Sequence, residues 1–332
     1  MKETLNYLYS HKTLTREEAK TVLNNIAQGM YNHSQIASFM SVYIMRSITV
    51  EELSGFRDAL LSLCIPIDLS EYNTIDLCGT GGDAKNTFNI STLASFVIAG
   101  CGGKVSKHGN YGVSSGCGSS NVMETLGYKF STDESKLKNE IEATGFCYLH
   151  APIFNPAMKN VGPVRKDLGV KTFFNMLGPM VNPSLPKNQM VGVYSLELAR
   201  IYTYLYQQTD KNFIIIHSLD GYDEISLTAD FKLISREFEV IHKPENLGLT
   251  RTSPEELLSG KTVEESVALF VKILEGNGTK AQNDVVTINS AVALKCLKHN
   301  QSMEDCILEA RESLVSGKAL NSLKKLIEMQ KN

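Results

Sequence analysis

The stretch DLCGTGGD, residues 76–83, decides the fold, because a short apolar strand runs directly into a glycine-rich turn. We expect a buried strand over residues 75–78 and an apolar helix over residues 93–99. Glycines in such a turn let several backbone N–H groups point into one concavity, which is how proteins bind phosphate without a side-chain charge. The turn therefore indicates a phosphate site, with a plain structural turn as the alternative.

The same turn also matches a relaxed dinucleotide-binding fingerprint through Gly79, Gly81 and Ala84. That fingerprint needs an acidic residue about 20 positions further on to hold the ribose hydroxyls. The next expected strand instead ends in Lys107 and His108. Asp83 would also face the pyrophosphate unless a metal ion lay between them. The context therefore disfavours an NAD enzyme.

Strands and helices alternate on both sides of this turn. We expect further strands from residue 105 and over residues 146–149, 190–194 and 213–217, with helices between them. This alternation predicts an α/β fold with a central, largely parallel sheet flanked by helices. We assign residues 69–332 to this large domain.

The chain begins differently, with helices only. Thr15 and Thr49 each start a capping box, and apolar residues follow at helical spacing. We predict a small N-terminal helical domain over residues 1–68, joined by part of residues 160–185. So short a unit cannot bury much apolar surface alone, so its faces are expected to pack on something else, such as a second copy of the chain.

Composition excludes several classes of protein. The chain has 332 residues, 33 Lys and Arg against 36 Asp and Glu, and a net charge of −3, which argues against a nucleic-acid partner. No apolar run approaches the roughly 18 residues of a membrane span. The N-terminus lacks a secretory signal. Seven scattered cysteines without a CxxC pair indicate a reducing cytoplasm rather than a zinc site.

Three further segments place polar groups where strands end and helices begin. They are residues 86–92 (NTFNIST), 107–110 (KHGN) and 114–120 (SSGCGSS). Ligands of open α/β sheets bind at the carboxyl ends of the strands, so these segments and the glycine turn are predicted to share one phosphate-bearing ligand.

Charged residues suggest what else this ligand site contains. Asp223 and Glu224 follow the strand expected over 213–217, and paired carboxylates suit Mg²⁺ that shares its coordination with phosphates. A solvated surface pair is the alternative. Arg165 lies among Val161, Val164 and Leu168, and an arginine turned inward needs an anion, such as a small carboxylate substrate.

Together these residues resemble the anthranilate phosphoribosyltransferase family. The resemblance rests on residues 79–83, 89–92, 107–110, 163–165 and 223–224, with Ser119, and it covers nearly the whole chain. It implies transfer of the phosphoribosyl group of 5-phosphoribosyl 1-diphosphate (PRPP) to anthranilate in tryptophan biosynthesis, with Mg²⁺ as cofactor. It also implies a small helical domain, a large α/β domain and a homodimer formed through the helical domain.

The resemblance implies three sets of site residues. Lys107 and the amides near Gly79–Gly82 would stabilise the departing diphosphate, whereas Gly79, Asn110 and Arg165 would contact anthranilate, with Arg165 facing its carboxylate. Magnesium would be held by Ser91, Asp223 and Glu224. The substrate-binding set is Gly79, Gly82, Asp83, Thr87, Asn89, Ile90, Ser91, Thr92, Lys107, His108, Gly109, Asn110, Tyr111, Gly112, Val113, Ser114, Ser115, Ser119 and Arg165.

One departure from the family pattern concerns the acceptor side. Many members have His-Pro-Ala-Met where this chain has Asn155 before Pro156, so an amide replaces an imidazole. A pyrimidine-nucleoside phosphorylase, which shares the fold but uses inorganic phosphate, is the nearest alternative enzyme. A non-enzymatic relative that binds nucleic acid is the alternative from another class.

Overall fold

A computed structural model describes residues 1–112 and 116–331. Contacts divide the chain into two compact units. The helical unit consists of Met1–Pro66 and Ala151–Pro183, and the α/β unit consists of Ile67–His150 and Ser184–Asn332. None of the helices in the described part of the chain is long and apolar enough to cross a membrane.

The elements follow one another along the chain in this order: α1 Lys2–Tyr9, α2 Arg16–Ala27, α3 His33–Met45, α4 Val50–Leu63, β1 Ile75–Gly79, α5 Ile90–Gly100, β2 Val105–Gly109, α6 Ser119–Thr125, α7 Glu134–Thr144, β3 Phe146–His150, α8 Ala151–Phe154, α9 Gly162–Leu168, β4 Asn188–Gly192, α10 Leu196–Gln207, β5 Asn212–Ser218, β6 Phe231–Ile234, β7 Glu239–His242, α11 Val263–Lys272, α12 Lys280–Leu297, α13 Met303–Val315 and α14 Lys318–Met329. Short 3₁₀ turns lie at Ser70–Tyr72, Pro156–Asn160, Phe173–Met176, Gly178–Met180, Pro244–Leu247 and Pro254–Leu257, and Ile273–Asn277 is a π-helical turn.

The helical unit begins its helices where the sequence predicted. The Thr15 hydroxyl accepts from the Glu18 N–H at 3.3 Å and the Glu18 carboxylate accepts from the Thr15 N–H at 2.8 Å, so the first capping box is confirmed. The second box at the start of α4 is likewise complete. Each satisfies two backbone donors that the first helical turn leaves without partners.

An aromatic cluster forms the core of the helical unit. Phe56 of α4 stacks on Phe173 with ring centroids 4.5 Å apart, while Phe39 and Tyr43 of α3 meet the same rings edge-on. Phe173 belongs to the returning segment Ala151–Pro183. This segment therefore supplies part of the core on which α3 and α4 pack.

The α/β unit is built on a seven-stranded sheet of order β3-β2-β1-β4-β5-β6-β7. The first five strands in this order pair in parallel, which confirms the predicted fold class. The strand expected over residues 190–194 lies instead at Asn188–Gly192, because Asn188 and Gln189 already pair with Asn212 and Phe213 of β5. Strands β6 and β7 are antiparallel additions at one edge that the sequence analysis did not predict.

Helices α5 and α12 supply much of the core of this unit. Almost all of α5 is buried, and Phe96 on it stacks on Phe146 of β3 with centroids 4.4 Å apart. A continuous run of buried residues in α12 packs in the same apolar cluster. Such full burial explains why α5 is apolar around most of its circumference rather than along one stripe.

The strand order changes direction between β1 and β4. From β1 the chain moves to β2 and β3 on one side and then returns to β4 on the other. The two strands pair in register, so that Gly79 at the end of β1 lies beside Gly192 at the end of β4. Open α/β sheets bind ligands at the carboxyl ends of the strands at such a switch point.

Candidate active site

The glycine-rich loop leaves β1 at the switch point and turns in left-handed conformations. The Thr80 N–H donates to the Gly192 carbonyl at 2.9 Å, which ties the start of the loop to β4. Gly81 and Gly82 have φ of +67° and +81°, and Ala84 has φ of +60°. Glycine adopts this region without steric cost, whereas the conformation at Ala84 is strained.

Asp223 lies directly beneath this loop. Its Oδ2 accepts a hydrogen bond from the Gly81 N–H at 2.6 Å. A Cβ atom on Gly79 would overlap the Asp223 carboxylate, and one on Gly192 would overlap the Asp223 backbone. Only glycine fits at these two strand ends, so the close approach of the carboxylate is built into the sheet.

Burial and mutual repulsion oppose ionisation of the acidic pair. Burial, with the nearby charges of Asp83 and Glu224, raises the pKa of Asp223 well above its ordinary value. Burial also raises the pKa of Glu224, to about 7, although Lys107 and hydrogen bonds from Ser91 act in the opposite direction. Carboxylates placed in this way need a cation to be ionised together.

Two polar atoms of the glycine loop are buried without hydrogen-bond partners. They are Oδ2 of Asp83 and Oγ1 of Thr80. Buried polar atoms are nearly always paired, so these oxygens fit a ligand or ion at the loop. Within residues 1–112 and 116–331, no three His, Cys, Asp or Glu side chains are arranged to hold a metal alone. Mg²⁺ needs only one or two carboxylates when substrate phosphates and water complete its shell.

Lys107 projects from β2 into the same region. Its ammonium group donates to the Leu77 carbonyl at 2.5 Å and to the Ser91 hydroxyl at 3.2 Å. Burial lowers the pKa of Lys107, and the negative charge of Asp76 opposes this effect. An ammonium group has three donors, so one N–H is available beyond these two bonds.

The N-terminus of α5 carries several of the predicted ligands. Asn89 precedes the helix but its side chain does not cap it, and its amide donates instead to the Cys117 carbonyl at 3.2 Å. Ser91 donates from both its hydroxyl and its backbone to Glu224. Thr87 precedes the helix and Thr92 is buried in its first turn. A helix N-terminus without a side-chain cap favours an anionic ligand.

The loop after β2 places Asn110 and Ser119 at the carboxyl end of the sheet. The backbone carbonyl of Asn110 accepts from the Ser120 N–H at 3.1 Å, while the Asn110 side chain accepts from the Tyr111 N–H at 2.8 Å. Gly109 precedes this loop. Gly112 lies further along it, and its N–H donates to Asn121 Oδ1. Val113, Ser114 and Ser115 lie outside the described residues.

Two of the residues expected on the acceptor side, Arg165 and Asn155, lie in the helical unit. Arg165 is half-buried on α9, bonds Asn175 Oδ1 at 3.4 Å and lies over the Phe174 ring. Burial lowers the pKa of its guanidinium group. Asn155 is buried, and its amide oxygen has no hydrogen-bond partner. Both side chains thus retain capacity for a polar ligand.

Some of the predicted residues are therefore connected to one another by contact or by charge. Others lie elsewhere in the chain. Gly79, Asp83, Ser91, Lys107, Asp223 and Glu224 are linked by direct contact or by charge in the α/β unit. Arg165 belongs to the helical unit.

Asp76 and Gly192 are not among the site residues predicted from the sequence. The fully buried Asp76 accepts from the His108 N–H at 3.2 Å, and its negative charge favours the protonated form of Lys107. A carboxylate inside an apolar strand is the signal that could have identified it.

Comparison with known proteins agrees with this geometry. The family model described as the glycosyl transferase family helical bundle domain matches residues 2–64, and that described as the glycosyl transferase family a/b domain matches residues 71–320. The anthranilate phosphoribosyltransferase of Flavobacterium johnsoniae is 62% identical over 329 residues, which cover 99% of both chains.

Solved structures give the same relationship. The anthranilate phosphoribosyltransferase (TrpD) of Thermus thermophilus superposes with a TM-score of 0.91 at 29% identity and covers 99% of both chains. The Saccharomyces cerevisiae enzyme in complex with PRPP and Mg superposes with a TM-score of 0.89 at 27% identity, over 100% of this chain and 99% of that one. The chain belongs to the anthranilate phosphoribosyltransferase family.

Proposed function

We propose that this protein transfers the 5-phosphoribosyl group of PRPP to the amine of anthranilate and releases diphosphate, a step of tryptophan biosynthesis. One observation carries the proposal: the glycine loop, Lys107, the N-terminus of α5 and the Asp223–Glu224 pair converge at the switch point of the sheet. A sugar diphosphate with its metal ion requires backbone donors, a cation and carboxylates together. Membership of the family supports the choice of acceptor.

The residues of the α/β unit would act mainly on the leaving group. Anthranilate is a weak nucleophile, so the C1–O bond of PRPP must weaken substantially as the amine attacks, and negative charge develops on diphosphate. Mg²⁺, when bound, neutralises part of this charge. Ser91, Asp223 and Glu224 would hold it, and Asp83 would face it from the glycine loop.

Lys107 would stabilise the same developing charge directly. Its bonds to Leu77 and Ser91 fix the ammonium group in place before the reaction. Donors that are already oriented cost little reorganisation in the transition state, and this is usually the largest catalytic contribution. The Gly81 N–H bonds Asp223, so we assign anion binding to Lys107 and the α5 N-terminus rather than to that amide.

Asn110 and Arg165 would position the acceptor. The guanidinium of Arg165 suits the carboxylate of anthranilate, and Asn110 at the carboxyl end of β2 suits a polar group of the acceptor. When the amine is held in line with C1 of PRPP, its attack becomes an effectively unimolecular step within the enzyme–substrate complex. No covalent nucleophile is required, and we assign none.

We infer that the protein is a homodimer formed through the helical unit and that it acts in the cytoplasm. Exposed apolar side chains on the helical unit support the first inference: Met30, Ile44 and Met45 are 62%, 46% and 85% exposed. Seven unpaired cysteines support the second. Light scattering of the purified protein should give twice the chain mass of 36.7 kDa.

The reaction is tested by following the fluorescence of anthranilate. Purified protein with PRPP and Mg²⁺ is expected to consume anthranilate and to release one diphosphate per acceptor consumed. Chelation by EDTA should stop the reaction, and added Mg²⁺ should restore it. Phosphorolysis of thymidine or uridine without any use of anthranilate would assign the protein to the pyrimidine-nucleoside phosphorylases instead.

A further inference from the structure

Four polar groups form a continuous row in the α/β unit. The Ser119 hydroxyl lies 2.7 Å from the Tyr148 hydroxyl, and this lies 2.9 Å from the Ser120 hydroxyl. The Ser120 hydroxyl lies 2.8 Å from Nδ1 of His150. We call these groups the hydroxyl row. All three distances are those of hydrogen bonds, so each link needs one proton.

The number of protons in the hydroxyl row determines its direction. Each hydroxyl carries one proton, and Nδ1 of a neutral imidazole carries either one or none. If Nδ1 has no proton, the three hydroxyl protons fill the three links and all point toward His150. The Ser119 hydroxyl then has no proton left to donate elsewhere.

If Nδ1 carries its proton, the direction reverses. His150 donates to Ser120, Ser120 donates to Tyr148 and Tyr148 donates to Ser119. Four protons then serve three links, so the Ser119 hydroxyl proton is available to another acceptor. The Asn110 carbonyl is 3.5 Å from this hydroxyl, too far to hold the proton firmly.

The surroundings keep the groups of the row neutral and fixed. Burial lowers the pKa of His150 to about 4, and burial raises the pKa of Tyr148, so neither is charged at neutral pH. The His150 ring stacks on Phe130 with centroids 4.0 Å apart and planes 11° apart. A Cβ on Gly109 would overlap both Tyr148 and Ser119, so glycine at the end of β2 is required for the row to form.

On the basis of the proposed function, we infer that Tyr148 and His150 are positioning residues for PRPP, and that the Nδ1–H form of His150 directs the Ser119 hydroxyl to donate to an anionic oxygen of PRPP. Ionised phosphate oxygens accept hydrogen bonds and do not donate them. A bound phosphate at Ser119 is therefore compatible with only one direction of the row. The opposite direction would leave two oxygen lone pairs facing each other.

Nitrogen NMR of the imidazoles tests the inference directly. The ¹⁵N-labelled protein, with its seven histidines, is recorded with Mg²⁺ and saturating PRPP, and the His150 signals are assigned with His150→Phe. We expect His150 in this complex to be neutral with its proton on Nδ1. A proton on Nε2 alone, which would leave Nδ1 as an acceptor, would overturn the inference.

Two variants interrupt the hydroxyl row at different links. Tyr148→Phe and Ser120→Ala are each expected to weaken PRPP binding by roughly three- to tenfold in calorimetry, with the KM for anthranilate unchanged. Tyr43→Phe is the matched control, because it removes a buried tyrosine hydroxyl that bonds Glu52 within the helical unit. Thermal unfolding shows whether each variant folds. If one of them does not, the PRPP affinity of the other variant tests the inference.

Calorimetry separates failure of this inference from failure of the proposed function. Unchanged PRPP affinity in a folded Tyr148→Phe or Ser120→Ala variant would overturn the inference while leaving the transferase activity intact. A parent protein that does not bind PRPP at all would overturn the proposed function and the inference together.

Discussion

Asp223 has the most constrained position of the acidic residues in the site. Its carboxylate accepts from Gly81 at 2.6 Å and leaves no room for a side chain at Gly79. Burial and the charges of Asp83 and Glu224 all oppose its ionisation. Such a residue weakens the fold unless a cation offsets the repulsion, so its position is best explained by a metal ion shared with the substrate.

Replacing Asp223 with Asn and Glu224 with Gln is expected to lower turnover by roughly 10²-fold or more, because both proposed carboxylate ligands lose their charge. Steady-state rates over a range of Mg²⁺ concentrations provide the measurement. The thermal midpoint without metal should not fall, since two mutually repelling acids are removed. Asp220→Asn, at an exposed carboxylate three positions earlier, is the control. Full turnover with unchanged Mg²⁺ dependence in the double variant would remove Asp223 and Glu224 from the metal site.

Some residue positions follow from the sequence and others do not. Asp223 and Glu224 follow an expected strand, so their place at the carboxyl end of the sheet was predictable from the order of elements. Asp76 was not, because its contacts arise only when β1 and β2 lie side by side and the His108 N–H reaches its carboxylate. Tyr148 likewise looks like a core residue of β3 until Ser119 and Ser120 are placed beside it.

At the scale of elements, the start of α4 is held by one buried carboxylate. Glu52 is fully buried and accepts from the Thr49 N–H, the Leu14 N–H and the Arg46 guanidinium at 3.0, 3.0 and 2.6 Å. Burial alone would raise the pKa of Glu52, but the hydrogen bonds from Arg46, Thr49 and Leu14 together hold it below its ordinary value. Glu52 therefore connects the start of α4 to Leu14, in the segment before α2, by a hydrogen bond.

Glu52→Gln is expected to destabilise the protein by about 3 kcal/mol, because it removes the buried carboxylate charge that pairs with the half-buried Arg46. Urea unfolding at pH 7 measures this loss. Glu51→Gln, one position earlier on the exposed side of the helix, should change the free energy of unfolding by less than about 0.5 kcal/mol. Equal effects of the two variants would contradict the structural role of Glu52.

The same contact predicts a pH dependence with a definite sign. Because the folded-state pKa of Glu52 is lowered, its contribution to stability is fully present above the unfolded pKa of about 4.5 and is lost as the pH falls through the folded pKa. The stability difference between the parent and Glu52→Gln should therefore shrink on acidification below that value. A difference that stays constant down to pH 3 would contradict this assignment.

Local signals explain which elements were predictable. The capping boxes of α2 and α4 depend on residues three positions apart, so the sequence alone was sufficient. Strands β6 and β7 have only four residues each and join the sheet as antiparallel additions to β5. Their pairing depends on the rest of the sheet, and the interpretation of a parallel, alternating fold gave no reason to expect them.

At the scale of the whole molecule, the charge balance agrees with how the site holds its ligand. The chain carries a net charge of −3, and the proposed PRPP ligands include only one buried lysine, Lys107. The remaining interactions with PRPP would come from backbone donors at α5, the Ser119 hydroxyl and a metal ion held by carboxylates. A highly anionic substrate can thus be bound without a basic surface, which also distinguishes this site from a nucleic-acid interface.

The assignment of Arg165 to the acceptor alone predicts a kinetic separation between the two substrates. Arg165→Ala is expected to raise the KM for anthranilate by roughly tenfold or more and to leave the KM for PRPP nearly unchanged, because a charge-assisted bond to the acceptor carboxylate is lost. Lys166→Ala, which removes the exposed neighbouring cation, controls for general charge effects. An anthranilate analogue without the carboxylate should bind the parent and Arg165→Ala equally well. If Arg165→Ala raises the KM for PRPP as much as the KM for anthranilate, the guanidinium does not bind the acceptor. The anion that it binds would then belong to PRPP.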